Sequence, residues 1–301
     1  SFIDCTGDAD VAAWAGAPFE IKKEFMQAGT MMFVVGGVEY DDYAALKKRI
    51  LDTFAKAHAD GVKCRFAGPG VGRLRHGVIN FNMTRVPYNQ TDAADWTRAE
   101  HEARNDIQDA MYILKTFMPE FKNSYLLYSG PQIGCRESRR LLGEFVLREQ
   151  DLMNFTIYPD GTASTSWYID QHYPDPENSK LFPGREYLSC GHLTPLSFYP
   201  IPYRCFYSKD VDNLFMAGRN ISVSHVALGT VRVMRTTAMM GEVVGMAASI
   251  CSKHGALPHD VYDTRFEELR ELMQRGAGRT DVPYLQVYTL IDTTAARSEE
   301  C

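Results

Sequence analysis

Apolar and polar positions divide the chain into recognisable elements. The run TMMFVVGGV, Thr30–Val38, is apolar throughout and closes on two glycines, the pattern of a buried strand. Tyr43, Leu46, Ile50, Leu51 and Phe54 recur at helical intervals behind two leading acids. They predict a helix over Asp41–Ala59 with one face turned inward. Val78–Met83 alternates as a short strand, and Asp92–Met118 carries the longest helical pattern, capped by Asp92 and stopped by Pro119. At the front, Phe2-Ile3-Asp4-Cys5 reads as the tail of a buried strand. Gly7-Asp8 then reads as a turn, and Asp8–Ala17 as an Ala-rich helix with Val11 and Trp14 at helical spacing.

In the second half, NFTIY and TASTSWYI flank Pro159-Asp160-Gly161, which predicts a hairpin over Asn154–Asp170. Residues 171–202 are rich in Pro, Gly and Tyr and read as a long ordered loop system, of the kind that serves a site. Leu214-Phe215-Met216-Ala217 reads as a strand ending at Gly218. Thr230–Ser252 reads as one small-residue-rich helix, and Val261–Arg275 as an amphipathic helix stopped by Gly276. The expected class is therefore α/β, in its mixed α+β form.

Composition narrows this picture. A chain of 301 residues suits one large domain or two interleaved ones, and 45% hydrophobic with 23% charged residues excludes wholesale disorder. A net charge of −6 disfavours nucleic acid and anionic membrane as partners. The longest apolar helical stretch, Thr236–Ser252, is broken by Glu242 and is too short to span a bilayer. Seven cysteines are scattered without a C-x-x-C, so reduced thiols and a cytoplasmic setting are expected, with neither a disulfide scaffold nor a zinc site. The opening Ser1-Phe2-Ile3-Asp4 has no basic or apolar leader, and the expectation is a chain that starts inside a domain.

The chemistry concentrates in residues 214–248, LFMAGRNISVSHVALGTVRVMRTTAMMGEVVGMAA. A strand ends at Gly218, where the backbone is free to approach another group closely. A polar loop with Arg219, Asn220, Ser222, Ser224 and His225 follows, and Gly229-Thr230 then opens a long helix. Amides at such a helix mouth suit an electron-rich ligand, including a flavin whose reduction places negative charge on its pyrimidine side. Tight packing of a buried strand-loop-helix explains the same glycines equally well. Arg136-Glu137-Ser138-Arg139-Arg140 offers arginines for a carboxylate or phosphate, or else a solvated basic helix start paired with Glu144. His225 reads either as a general acid or base or as a structural hydrogen-bonder. His172, His192, His254 and His259 lack partners at metal-ligand spacing, so no metal site is expected. Tyr158, Trp167, Tyr168, Tyr173, Tyr187 and Tyr199 suit either a ring-lined pocket or ordinary strand packing.

FIDCTGDADVAAWAGAPFE, IGCRESRRLLGEFVL at 133–147 and IPYRCFYSKDVDNLFMAGRNISVSHVALGTVRVM at 201–234 together resemble a family of FAD-dependent oxidoreductases with a glutathione-reductase-like architecture. TMMFVVGGV and LPHDVYDTRFEELRELMQRGA fit the same family in the same order. The resemblance implies a partial FAD/NAD(P)-binding dinucleotide fold with an inserted mixed-sheet substrate domain. It puts Thr6, Gly7 and Asp8 beside FAD, and Gly218 and Arg219 along its ribityl and pyrophosphate region, with arginine where many relatives of the wider fold carry an acid. His225, Gly229, Thr230, Val231 and Arg232 would lie near the isoalloxazine, with His225 and Arg232 as catalytic candidates. Arg136, Arg139, Tyr203 and Arg204 would face the substrate.

The G-x-G-x-x-G unit that this family places first is not found in these residues, and GPGVGRLRHG at 68–77 has no strand-to-helix context. The expectation is thus the C-terminal part of a longer enzyme, binding FAD weakly or not at all by itself. Residues 1–18 and 200–256 would form the FAD-binding part, 19–199 the substrate domain and 257–301 a helical extension. The expected reaction is hydride transfer between a small organic substrate and flavin N5. The alternative is a cofactor-free substrate-binding or interaction module. Expected partners are the substrate, a missing N-terminal segment or second subunit, and a second copy of the chain.

Overall fold

The structure is a computed structural model that describes residues 1–23, 26–62, 70–172 and 197–276. Its fold is mixed α/β. The chain divides into two compact units, one of residues 1–22, 137–170 and 192–301, the other of residues 23–136 and 171–191. The first unit begins with β1 (Phe2–Asp4), α1 (Asp10–Trp14) and β2 (Phe19–Glu20).

The second unit follows with β3 (Phe33–Gly36), α2 (Tyr43–Ala59), β4 (Gly70–Arg75), β5 (Val78–Asn82), α3 (Ala93–Phe117) and β6 (Tyr125–Ser129). Its strands form one antiparallel sheet in the order β4-β5-β3-β6. The carboxylates of Asp42 and Asp92 accept the first free amides of α2 and α3, which is why both helices start there. Leu46, Ile50 and Phe54 on α2 and Ile107 and Leu114 on α3 share one core with Phe33, Val35, Ile79 and Phe81. Both helices therefore cover the same face of the sheet, and the rings of Phe33 and Phe81 stack at 4.9 Å. The glycine-rich stretch ending at Gly77 (φ 74°) runs into the β4–β5 hairpin, a strand and turn with no phosphate-cradling helix behind them.

The first unit resumes with β7 (Arg140–Leu141), α4 (Glu149–Met153), β8 (Gly161–Thr165), β9 (Tyr199–Pro202), β10 (Leu214–Met216), α5 (Leu228–Val231), α6 (Met234–His254), α7 (Pro258–Thr264) and α8 (Phe266–Arg275). β1 pairs with β10 in parallel, β2 with β7 and β8 with β9 antiparallel. The helix α6 packs against β8, β10, α7 and α8. Its Val243, Val244 and Ala247 join Ile201, Tyr203, Phe206 and Phe215 in the core.

Several expectations need correction. Phe2 and Ile3 are 66% and 41% exposed and Asp4 is fully buried, so β1 turns its polar residue inward. Val11 and Trp14 face outward, and α1 packs through Ala9 and Ala12 instead. The 154–170 hairpin does not form. NFTIY follows α4 as an irregular segment with Phe155 at φ 53°, and β8 takes β9 as its partner. Arg140–Leu141 is a strand, not a helix start. The helix expected over Thr230–Ser252 is two helices, because Val233 is extended (φ −74°, ψ 147°) between α5 and α6. Thr230, Val231 and Val233 are β-branched and weak helix formers. Val261–Arg275 is likewise divided at Arg265 between α7 and α8. Tyr173, Tyr187 and His192, and most of the 171–202 loop system, lie outside the described residues.

Two glycines of this unit have opposite surroundings. A Cβ on Gly229 would stand 2.9 Å from the backbone N and O of Asp170, whereas one on Gly241 would meet nothing within 4 Å. Gly229→Ala should cost about 1–3 kcal/mol, since backbone cannot swing aside. Gly241→Ala, in the interior of an exposed helix face, should stabilise by about 0.5–1 kcal/mol. Denaturation midpoints of the two variants moving in opposite directions is the expected result.

Candidate active site

The site is built on the parallel pair. Because β1 and β10 run the same way, the loops that follow them leave from the same end of the strands, the end where open α/β sheets hold ligands. Asp4 ties these loops together. Its Oδ1 accepts from Thr6 N (2.9 Å), Thr6 Oγ1 (2.7 Å) and Asn220 Nδ2 (3.1 Å), and its Oδ2 accepts from Ala12 N (2.7 Å). Gly7 then turns with φ 80° beneath Arg219, whose guanidinium stands 3.1–3.2 Å from where a Cβ would be. Only glycine fits both that backbone angle and that contact.

Arg219 donates through Nη1 to Asp8 (2.6 Å) and to Ser138 Oγ (3.0 Å), and Ser138 donates to Asp8. Arg139 donates to the Asp8 carbonyl (2.9 Å) and to Asp10 (2.8 Å). The structure thus brings Thr6, Gly7, Asp8, Gly218 and Arg219 together, Gly218 at φ 117° beside Arg219, and adds Ser138 and Arg139. The sequence expectation assigned Arg139 to the substrate, but its described contacts are with the loop after β1. Ser138, Asp4 and Asn220 stand within the motifs of the sequence analysis but carry no cofactor or substrate role there.

A second cluster surrounds His225. Its Nδ1 lies 2.8 Å from Glu137 Oε1, and Arg140 Nη1 contacts the same oxygen. Arg140 also donates from Nε to the Val223 carbonyl (3.1 Å), which holds the polar loop against β7. One residue before His225, Ser224 donates to Glu149 Oε2 (2.7 Å) and accepts from Ala227 N (3.2 Å). Burial pushes the Glu149 carboxyl up, but the Ser224 hydroxyl and its own backbone amide outweigh this and leave it below the usual carboxylate range.

The third group is arranged differently from the sequence expectation. Gly229, Thr230 and Val231 are buried against the chain after β8. Thr230 Oγ1 donates to the Trp167 carbonyl (2.5 Å), and Arg232 Nη2 donates to the Asp170 carbonyl (3.1 Å). The close approach that Gly229 permits is therefore to the Asp170 backbone. The mouth of the long helix lies at Val233–Met234, where α6 starts with no side-chain cap and Met234 is 87% exposed.

Tyr203 and Arg204 are committed to packing. Tyr203 is fully buried, donates to the Pro258 carbonyl (2.9 Å), and has its hydroxyl pushed far up by burial. Arg204 pairs with Asp160 (2.9 Å) and lies over the rings of Phe145, Tyr158 and Tyr262. Arg136 belongs to the second unit, where it donates to the Ala28 carbonyl (2.6 Å) and Thr30 Oγ1 (2.7 Å). Among the described residues no group of His, Cys, Asp and Glu is placed to hold a metal ion. Nor is any described helix long and apolar enough to cross a membrane.

A family model described as FAD dependent oxidoreductase matches residues 1–273. The chain belongs to this FAD-dependent oxidoreductase family. No curated protein and no solved structure matches it. FAD is the cofactor of the family, and the residues after β1 and β10 fit such a group. Two arginines offer charge-assisted donors beside two glycines in left-handed or open backbone. The uncapped, exposed first turn of α6 offers amides to an electron-rich ring edge.

Proposed function

We propose that the protein is a flavin-dependent oxidoreductase that moves a hydride between a small organic substrate and FAD. The observation that carries this reading is Arg219 lying over Gly7, between Asp8 and Ser138, at the carboxyl ends of β1 and β10. Arg219 and Arg139 would hold the anionic part of FAD, with Gly7 and Gly218 leaving room for it. When bound, the cofactor supplies a ring that accepts the hydride and becomes electron-rich. The α6 amides and the Arg232 side chain would stabilise that charge without reorganisation, and His225 would take the substrate's proton. Residues 19–199, which contain the antiparallel sheet, would bind the substrate. The β1 edge, with Phe2 and Ile3 exposed, would pair with a further strand supplied from outside the described residues. The four cysteines among the described residues are not joined in disulfides, and we keep a reducing, cytoplasmic setting as part of this reading.

Arg219→Ala tests the reading. Losing one charge-assisted donor to phosphate should weaken FAD binding about tenfold to a hundredfold. Flavin-fluorescence titration of the two proteins measures it, and equal affinities would remove Arg219 from the cofactor site. A second reading, a cofactor-free binding module, is favoured by Gly229, Thr230 and Val231 being occupied by neighbouring chain. Purified protein without flavin absorbance, and without FAD binding on titration, would support it.

A further inference from the structure

We propose that Glu137 is the positioning residue for His225, and that Arg140 completes the arrangement by supplying the counter-charge. The inference deepens the reading of His225 as a base and rests on it for its catalytic meaning. Glu137 is fully buried, Arg140 is 3% exposed, and His225 is 8% exposed. A carboxylate so enclosed needs charged or hydrogen-bonding partners. Glu137 has both, because Arg140 Nη1 and His225 Nδ1 converge on its Oε1.

An ionised carboxylate only accepts, so the nitrogen facing it must carry a proton. Nδ1–H of His225 therefore donates to Glu137, and Nε2 of the neutral ring is left as the acceptor, the form a general base requires. Arg140 has a second task. By donating to the Val223 carbonyl (3.1 Å) it fixes the backbone two residues before His225. Neither Glu137 nor Arg140 needs to touch substrate. Both act through the ring, setting which nitrogen holds the proton and where the imidazole points.

The test reads the proton directly. In 15N-labelled full-length protein at mildly alkaline pH, long-range proton–nitrogen correlation should show His225 protonated at Nδ1 and bare at Nε2. The signals are assigned by their disappearance in His225→Gln. The double variant Glu137→Leu/Arg140→Leu removes acceptor and counter-charge together, a replacement that buried ion pairs often tolerate. It should lose the Nδ1–H form in favour of Nε2–H. A wild-type ring protonated at Nε2 overturns the proposal, with no variant needed. So does a folded double variant that keeps Nδ1–H. Failure of the base reading is distinguishable: in the FAD-loaded enzyme, His225→Gln would then leave substrate-driven flavin reduction unchanged while the wild-type tautomer stays as predicted.

Discussion

Asp160→Ala should destabilise the first unit by about 3 kcal/mol, one of the two largest effects expected of any single change in this chain. Asp160 is 1% exposed, and its carboxylate receives Arg204 Nε (2.9 Å), Nη2 (3.2 Å) and the Arg204 backbone amide (3.2 Å). The Asp160 hydrogen bond is also what chiefly raises the Arg204 guanidinium above its ordinary value. Phe145, Tyr158 and Tyr262 surround that guanidinium at 5.1, 5.7 and 5.1 Å. Without Asp160 the cation stays among the three rings without this carboxylate. The rings return part of the loss through cation–π attraction, which keeps the figure at the low end for a buried pair. Asp160→Asn, which retains one acceptor and the shape, should cost about half as much. Urea denaturation with an unchanged slope and a lowered midpoint is the expected record. A midpoint within error of wild type would show that solvent replaces the carboxylate at little cost.

The second unit was the more legible in sequence, for a physical reason. Leu46, Ile50 and Phe54 are fully buried and fall on one helical face behind Asp42, and α3 begins behind Asp92 and ends before Pro119. Each signal there is local, a cap, a stripe and a stop, and short-range physics decides it. The first unit depends on partners distant in sequence. β8 looks like half of a hairpin because Pro159-Asp160-Gly161 does turn, but its partner is Tyr199–Pro202, beyond a long loop. Nothing local announces that pairing. The division between α5 and α6 was half visible in the β-branched residues Thr230, Val231 and Val233, although the packing of Gly229 on Asp170 lies outside any window around it.

The candidate site shows the same limit. Gly218 stands out in sequence because a bare backbone after a strand can approach another group closely, whereas Gly7 and Arg219 enter through the family resemblance, and their contact with each other belongs to the fold. Glu137 carries no role in the sequence reading, which pairs the neighbouring arginines with Glu144 instead. The meeting of Glu137 with His225, across 88 positions of chain, is a product of the fold. Arg136, Arg139 and Arg140 look equivalent in sequence, yet one joins the second unit, one the loop after β1, and one Glu137. Charge alone could not sort them. Only the backbone trace through β7 gives each a different destination.

Asp4→Asn should be nearly as damaging as Asp4→Ala, which separates a clamp from a mere space-filler. In Asp4→Ala, the Thr6 amide and hydroxyl, the Ala12 amide and the Asn220 side-chain amide each lose an acceptor. At about 1 kcal/mol for each lost partner the total is about 4 kcal/mol. Asparagine restores one acceptor only, because its second atom is an NH2 group. If the amide oxygen faces Thr6 and Asn220, the NH2 opposes the Ala12 amide, donor against donor. Turned the other way, it opposes the Thr6 amide and the Asn220 NH2. Either orientation leaves a buried clash, so about 3 kcal/mol of loss is expected despite the near-identical shape. Amide exchange at Thr6 and Ala12 should accelerate in both variants. FAD affinity should fall with them, since the loops that carry Gly7 and Arg219 are held together through this carboxylate. An Asp4→Asn protein with wild-type exchange at Ala12 would mean that Oδ2 is not what fastens α1, and that the loops find their geometry without it.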